Sequence, residues 1–458
     1  MLTRFEVSGF KNLQNVTVEL GSFTCIAGPN SVGKSNLFDA IELLSLFSEY
    51  SFLEACTRIR PTSQQRPNIL SLFSQKVIQG TENLKLAAEM VVPRSLFDEF
   101  NEKVEPDRTF MRYELEISLS NEDSLSQMPQ LRLVHEELSP IYYPAKRLHF
   151  PGATACIKNF IKGSAKFNPI ETVSGDNPNT TIQINNGRQG KPRRINADKS
   201  QRTVLSAIAS AENPLILAAQ TEMRSWRFVA LEPSAMRAPD TITENRPISA
   251  TGAHIPSSLY RQSLKHSDSH NVMLQVKDTI SSLVDIRYLN VIPNVARDTL
   301  ELHARIGTSP TLPARSLSDG TLRFLALSAM KVSEDYFGML CMEEPENGIH
   351  PSKIADMHQL LLEIAKPTND SLRQVIVNTH SPYFVQETSD DDILCAVAKS
   401  TPENNGETSR IVGFHPLQGT WRSRSRSRDS STPRPVSRGR IAAYLNNPSK
   451  WMGDKLDS

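Results

Sequence analysis

The chain has 458 residues, with 51 lysines and arginines against 50 aspartates and glutamates, a formal net charge of +1. At about 100–200 residues per domain this length holds two to four packing units, and it can bury a core without covalent staples. The even balance creates no whole-chain field that selects a polyanion or a membrane surface, so any such preference has to come from local patches.

The hydrophobic fraction is 38%, on the low side, which points to some polar loop or tail sequence. Five cysteines stand at positions 25, 56, 156, 341 and 395. Their odd number and the lack of a CxxC pair argue against a disulfide framework and a zinc ribbon, and reduced thiols are expected. The opening MLTRFEVSGFKN places Arg4 and Glu6 where a signal peptide needs an apolar core. No run is long and apolar enough to read as a membrane span. A cytoplasmic protein without membrane contact is the expectation.

In chain order, Phe5 to Val7 and Val16 to Leu20 alternate as strands do, and Phe23 to Ala27 is a short apolar run fit for a buried strand. It leads into the glycine loop Gly28 to Gly33, and a helical pattern follows through Leu37, Ala40, Ile41, Leu44 and Phe47. Leu84 to Val92, Met111 to Ser118 and Gln130 to Glu137 read as an antiparallel sheet. Gly175 to Lys199, rich in Asn, Gly, Thr and basic residues, reads as a loop or mobile segment. Helical stretches follow at Val204 to Ala211 and Val272 to Leu283. From Leu322 an α/β rhythm returns: helix Leu322 to Val332, buried strand Phe337 to Met342, helix Ile354 to Ala365 and strand Val375 to Asn378. Sustained heptads are absent, so no long coiled-coil arm is expected. After about residue 400 the chain turns polar, and Trp421 to Arg440 is of low complexity.

Gly28-Pro29-Asn30-Ser31-Val32-Gly33-Lys34-Ser35 fits GxxxxGK[ST], followed by Asn36, in the strand–loop–helix setting the pattern requires. Backbone N–H groups of such a loop curl around phosphates and the helix N-terminus adds its dipole. Lys34 is placed to reach the β and γ phosphates and Ser35 to put a hydroxyl on Mg²⁺. An apolar strand ending in Glu343-Glu344 supplies the acidic partner such a loop needs: Glu343 toward Mg²⁺ and Glu344 as general base toward the attacking water. Ser318, Asp319 and Gly320 precede a helix; the serine and the glycine can donate hydrogen bonds to a phosphate, or the stretch is a plain N-cap. His380, in THSP after a strand, is either a turn residue or part of the site.

Taken in order, GPNSVGKS, SLSDGT, CMEEPENGIHP and VNTHSP resemble the ATP-binding-cassette class of P-loop ATPases, in the variants of predicted AAA-type ATPases akin to RecF and to the ATPase half of the OLD nucleases. The resemblance covers about residues 1–400, densely at the two ends and loosely between. It implies an α/β fold, an ABC-type P-loop ATPase head with a mixed sheet and helices on both faces, split by a large α/β insertion, since 310 residues separate Lys34 from Glu344. The implied layout is an N-terminal lobe over 1–150, a connecting region over 151–295 that is partly flexible near 163–200, a C-terminal lobe over 296–400 and a polar Arg/Ser-rich tail over 401–458. In that family Ser318, Asp319 and Gly320 match the signature, Glu343 and Glu344 Walker B, Asn347 to His350 the D-loop and His380 the switch histidine. Lys11, in VSGFKNL, is implied to approach the nucleotide. The Q-loop glutamine has only Gln75 and Gln79 as candidates.

Because cassette ATPases bury ATP between two heads, the resemblance implies ATP and Mg²⁺ as cofactors, hydrolysis to ADP and phosphate, and a homodimer or higher even oligomer. It also implies bacterial anti-phage defence with a separate effector, a Toprim-type nuclease or a toxin, because too little chain follows His380 to hold a Toprim domain. The alternative is a RecF-like DNA-binding ATPase in DNA repair. The acidic run Asp390-Asp391-Asp392 reads as a solvated loop rather than a metal site. The stretch from Trp421 to Arg440 has seven arginines and one acid. Either it contacts DNA or RNA phosphates, with Trp421 stacking on a base, or it is a solubilising segment. Lys191, Arg193 and Arg194 form a weaker basic candidate.

Overall fold

The computed structural model describes residues 1–446 except 61–67, 121–128, 164–165, 174–179, 186–191, 198, 245, 266–268, 334–335, 337, 369–370, 403–407 and 426–432. The chain forms two compact units, one from Met1–Trp226 with Ser389–Ser458, the other from Arg227–Thr388. Both mix strands and helices, so the α/β class read from the sequence holds.

The first unit is built on an eight-stranded sheet. Its order is Arg193–Asn196, Thr181–Ile184, Ile170–Val173, Gln130–Pro140, Phe110–Ser120, Leu84–Val91, Leu2–Ser8 and Val16–Glu19, with antiparallel neighbours throughout. Alternation explains it: in Leu2–Ser8, Phe5 and Val7 are buried while Arg4, Glu6 and Ser8 are half-buried, the pattern of a sheet with one packed face. Two segments expected to be loop, within 175–199, are strands of this sheet. Ile182 pairs with Ile195 and Thr172, and Ile182 is fully buried, so a few apolar residues at period two outweigh a polar composition.

The same unit carries Phe23–Ala27, buried at all five positions. It pairs parallel with Ile393–Pro402, with Cys25 opposite Ile393 and Ala27 opposite Cys395, and Ile393–Pro402 pairs antiparallel with Thr408–Pro416. The polar region after residue 400 thus contains a strand, and it contains core. Trp421 is buried and its Nε1 donates to the Asp391 carbonyl at 3.0 Å. Arg422 is 2% exposed. It donates to the Glu19 carbonyl at 2.8 Å, to Thr24 Oγ1 at 2.9 Å and to the Asp391 carbonyl. Burial pulls this guanidinium down to about 10, against the attraction of Asp392, Glu19 and Asp391. Trp421 and Arg422 therefore fit neither of the two readings left open for this stretch, nucleic-acid contact or a solubilising segment: both side chains are interior and spent on backbone carbonyls and the Thr24 hydroxyl, which a chain-local reading of an Arg/Ser repeat cannot detect. Arg426 and Arg428 lie outside the described residues. The acidic run is likewise partly structural. Asp390 pairs with Arg438, and burial raises the Asp392 carboxyl to about 6.

In the second unit Arg227–Val229, Gly338–Glu343 and Arg373–Thr379 run parallel in that spatial order. The helices Asp319–Val332 and Ile354–Ile364 bury their apolar faces, with Leu322, Phe324, Leu325 and Leu327 on the first and Ile354, Met357, Leu360 and Leu361 on the second. A long hairpin, Ile286–Asn294 with Thr299–Ile306, pairs at its edge with Asp240–Thr241. All five cysteines are free and buried. Desolvation pushes the thiols of Cys56 and Cys395 to about 12 and that of Cys156 to about 11, as expected of inert reduced thiols.

One buried carboxyl links sheet to helix in the first unit. Glu136, 0% exposed, accepts from Val204 N at 2.7 Å, Leu205 N at 2.8 Å and the Tyr113 hydroxyl at 3.0 Å. Burial nevertheless raises its carboxyl from 4.5 to about 7, opposed by these three donors. The folded chain holds this proton up to near pH 7 while the unfolded chain releases it near 4.5, so stability falls as pH rises through that window. Unfolding free energies from urea titrations at pH 4.5 and 7.5 are expected to include a loss of about 3 kcal/mol from this residue, converting the shift at about 1.4 kcal/mol per pH unit. Glu136→Gln is expected to flatten that part of the slope.

Candidate nucleotide-binding site

The strand Phe23–Ala27 delivers the chain to Gly28, and the helix Lys34–Phe47 leaves from Gly33. Between them the backbone turns through left-handed conformations at Ser31 (φ 63°) and Gly33 (φ 113°). Two glycines are dictated by space. A Cβ on Gly28 would stand 2.8 Å from the Ala396 carbonyl oxygen, and one on Gly33 would stand 2.6 Å from the Asn12 amide nitrogen. Pro29 and Val32 are buried while Asn30 and Ser31 are exposed; Ser35 and Asn36 are half-buried on the first helical turn. Lys34 is buried, and its ammonium donates to the carbonyls of Gly28 at 2.6 Å and Pro29 at 2.7 Å. The lysine thus folds back across its own loop, holding a cation among N–H groups at a helix N-terminus, the arrangement that attracts a phosphate.

Asn12 buttresses this loop. Its Nδ2 donates to the Val32 carbonyl at 3.2 Å, its Oδ1 accepts from Asn36 Nδ2 at 2.7 Å, and its carbonyl accepts from Val412 N at 3.2 Å. Sequence reasoning singled out the neighbouring Lys11 instead. Lys11, with a left-handed φ of 45°, pairs with Asp39 at 2.6 Å, and Asp39 also takes Arg60 Nε at 2.7 Å. Asp39 is 3% exposed, so Lys11 is held on the flank of the first helix.

The remaining motif residues lie in the second unit. Ser318 caps the helix Asp319–Val332: its Oγ accepts from Thr321 N at 3.3 Å and exchanges a hydrogen bond with Thr321 Oγ1 at 2.9 Å. Ser318 and Asp319 are exposed. Arg237 holds this corner, donating to the Leu317 carbonyl at 3.1 Å and to the Asp319 carboxylate. An added Cβ on Gly320 would lie 3.6 Å from the Gly348 carbonyl, so the helix Asp319–Val332 starts against the Asn347–His350 turn. Sequence position alone does not place those two motifs together.

The strand Gly338–Glu343 ends with Glu343 opposite Asn378. The next residue, Glu344, is left-handed, φ 47°, a conformation that costs a non-glycine residue about 1 kcal/mol or more and persists only when neighbours enforce it. They do so here. Glu344 N donates to the Asn378 carbonyl at 2.9 Å, Oε2 accepts from Asn347 Nδ2 at 2.6 Å, and Oε1 lies 2.9 Å from His380 Nδ1. Glu344, Asn347 and His380 thus form one hydrogen-bonded group, with the glutamate side chain 29% exposed and the histidine 39%.

Behind it sits a residue that sequence reasoning passed over. Glu346 is 8% exposed and accepts from Thr379 Oγ1 on one oxygen, while its other oxygen and Asn378 Nδ2 have no partner among the described residues. Burial, the largest cause, raises the Glu346 carboxyl, Thr379 and His380 lower it, and Glu344 raises it. Two buried polar atoms left unmatched beside Glu344 are an uncommon expense in a native core. The signal for Glu346 was in the sequence, a third carboxylate in EEPEN, but its burial was not.

Residues 189–386 match the family model for an AAA domain, putative AbiEii toxin, Type IV TA system. The matched stretch is less than half of the chain. It includes Ser318, Glu343, Glu344 and His380 and leaves out the Gly28–Ser35 loop. No curated protein matches the chain. Among solved structures the chain is similar to an SMC head bound to the C-winged helix domain of ScpA, with TM-score 0.45 and 13% identity over 90% of this chain and 98% of that chain. It is also similar to an Smc head domain with an extended coiled coil bound to the C-terminal domain of ScpA, from Pyrococcus furiosus, with TM-score 0.41 and 12% identity over 90% and 96%. A third is the SMC head domain from Thermotoga maritima, with TM-score 0.36 and 13% identity over 91% and 99%. No described helix is long and apolar enough to cross a membrane.

The Asn12 buttress gives a test. Asn12→Ala removes both amide contacts of the loop, and affinity for a fluorescent ATP analogue is expected to fall about tenfold, the worth of one or two net hydrogen bonds. Gly33→Ala forces a Cβ onto Asn12 at positive φ and is expected to cost at least about 1 kcal/mol of stability as well, read as a lower melting temperature.

Proposed function

We propose that the protein binds ATP with Mg²⁺ and hydrolyses it to ADP and phosphate, and that this cycle regulates a separate effector. The observation that carries the reading is Glu344, a strained carboxylate gripped by His380 and Asn347, in a chain whose Gly28–Ser35 loop folds as strand, glycine turn and helix. Lys34, now on two loop carbonyls, exchanges them for the β and γ phosphates. The N–H groups of the loop and of Ser35 and Asn36 orient those phosphates. Ser35 offers a hydroxyl and Glu343 a carboxylate, each an oxygen donor of the kind Mg²⁺ takes. When bound, the ion supplies charge neutralisation at the phosphates.

Glu344 accepts the proton of the attacking water as general base. His380 and Asn347 keep its carboxylate from rotating away, so they act as positioning residues. Ser318, Asp319 and Gly320 present an exposed helix start, which supports their engaging the nucleotide of a second copy, in a homodimer or higher even oligomer. The family description that matches residues 189–386 names a putative toxin of a toxin–antitoxin type. This supports a toxin–antitoxin setting, but it attaches the toxin label to the domain matched in this chain; a nuclease or toxin on another chain as the regulated partner rests on the motif resemblance alone. For the alternative, a RecF-like DNA-repair ATPase, Trp421 and Arg422 are buried and so drop out as contacts, while Arg424 and Arg434 are exposed.

Turnover measured by phosphate release is expected to vanish in Lys34→Ala and to fall roughly 10²–10⁴-fold in Glu344→Gln, the usual worth of a general base. ATP with Glu344→Gln is expected to shift the protein to a dimer in sedimentation. Full turnover in Lys34→Ala sinks the ATPase reading, and a persistent monomer sinks the dimer. Co-purification from the native host tests the effector: no partner, together with DNA-stimulated turnover, favours the repair reading.

A further inference from the structure

The second unit holds a cluster that the nucleotide chemistry does not use. Asp240, Glu244 and His254 each present one ligand-type atom, and these three atoms all lie within 4.8 Å of one another. His254 Nδ1 is 3.0 Å from Asp240 Oδ1 and 3.6 Å from Glu244 Oε1. Ligands about 2.0 Å from a tetrahedral ion stand about 3.3 Å apart, between those two separations. We propose that Asp240, Glu244 and His254 form a binding site for a divalent transition ion of the Zn²⁺ class.

The backbone fixes each donor in advance. Asp240 lies on the short strand paired with Thr299–Ile306 through Leu300, and its second oxygen, Oδ2, accepts from Ser257 N at 2.9 Å. That bond sets the carboxylate plane from outside, as partners of metal ligands do. His254 is left-handed, φ 67°, at the end of a turn closed by Ser249 N to the Ala253 carbonyl at 2.9 Å and by Ala253 N to Ser249 Oγ at 3.0 Å. Glu244 closes its own turn with its N–H on the Thr241 carbonyl at 3.1 Å. Glu244 also has Arg246 Nε at 3.4 Å, but that arginine side chain is 70% exposed and free to swing into water.

A histidine nitrogen carries at most one proton, so it can donate to only one of two carboxylates; an ion satisfies all three donors at once. Two carboxylates balance a 2+ charge. The imidazole favours Zn²⁺ and its neighbours over Mg²⁺, so this site differs in chemistry from the oxygen donors Ser35 and Glu343. The Asp240 side chain is 4% exposed, Glu244 18% and His254 20%, which leaves an approach from solvent for an open coordination position. Bound there, the ion ties the Asp240 strand to the start of the helix Ile255–Lys265.

The test uses the full chain, stripped with chelator and free of nucleotide, titrated with Zn²⁺ by calorimetry and with Co²⁺ by visible absorption. One equivalent of Zn²⁺, a rise in melting temperature and the strong Co²⁺ absorption of low coordination number are expected. His254→Asn, which keeps a residue tolerant of positive φ, and Glu244→Gln are each expected to weaken binding by about 100-fold or more, since losing even a supporting partner costs about 10–100-fold. Glu343→Gln is expected to leave Zn²⁺ binding unchanged. No uptake by the wild-type chain overturns the site in favour of a plain His–Asp hydrogen bond. Equal affinity in folded His254→Asn and Glu244→Gln overturns it as well, placing the ion elsewhere.

Discussion

A glycine loop between a buried strand and a helix has to turn tightly in little space while the strand that delivers it stays interior, and the contacts around Phe23–Ala27 answer that demand. The strand Phe23–Ala27 is interior at every position, so its edge groups need a partner, which Ile393–Pro402 supplies from the far end of the sequence. The approach is so close that Gly28 has no room for a side chain against Ala396. Asn12 then fixes the other side of the loop through Val32 and Asn36. The C-terminal region completes the support: Arg422 spends a buried charge on the carbonyls of Glu19 and Asp391 and on Thr24. Such a buried cation is tolerable only because its donors are matched.

In the second unit a strained residue and unmatched polar atoms meet around Glu344. Glu344 is left-handed, and Glu346 Oε2 and, on the paired strand, Asn378 Nδ2 are buried without a partner among the described residues, as are Thr299 Oγ1, Arg323 Nε and Ser328 Oγ elsewhere in the unit. Strain and unsatisfied groups gather where function outweighs stability. The neighbouring elements are regular and well packed, and they hold this geometry in place.

Several elements were legible from local pattern alone. The strand, glycine loop and helix over 23–47 could be read because periodicity changes there from two to 3.6 around residues that only a tight turn needs. The parallel strands 338–343 and 373–379 were legible as short apolar runs between helical patterns. The strands at 181–184 and 193–196 were not, because a polar composition masks two or three inward residues. The tail misled for a related reason: an Arg/Ser repeat looks the same whether its arginines meet water, nucleic acid or backbone carbonyls.

By itself the sequence determined the α/β class, the strand–glycine loop–helix over 23–47, the paired carboxylates after an apolar strand and the inert cysteines. All of these rest on neighbours in the chain and on spacing. Only the tertiary structure decided that Asn12 braces the loop while Lys11 pairs with Asp39, that Trp421 and Arg422 are core, that Glu346 is buried behind Glu344, and that Asp240, Glu244 and His254 meet. Each of those depends on which distant residues desolvate or hydrogen-bond a side chain, and burial is a property of the folded chain that no local pattern encodes.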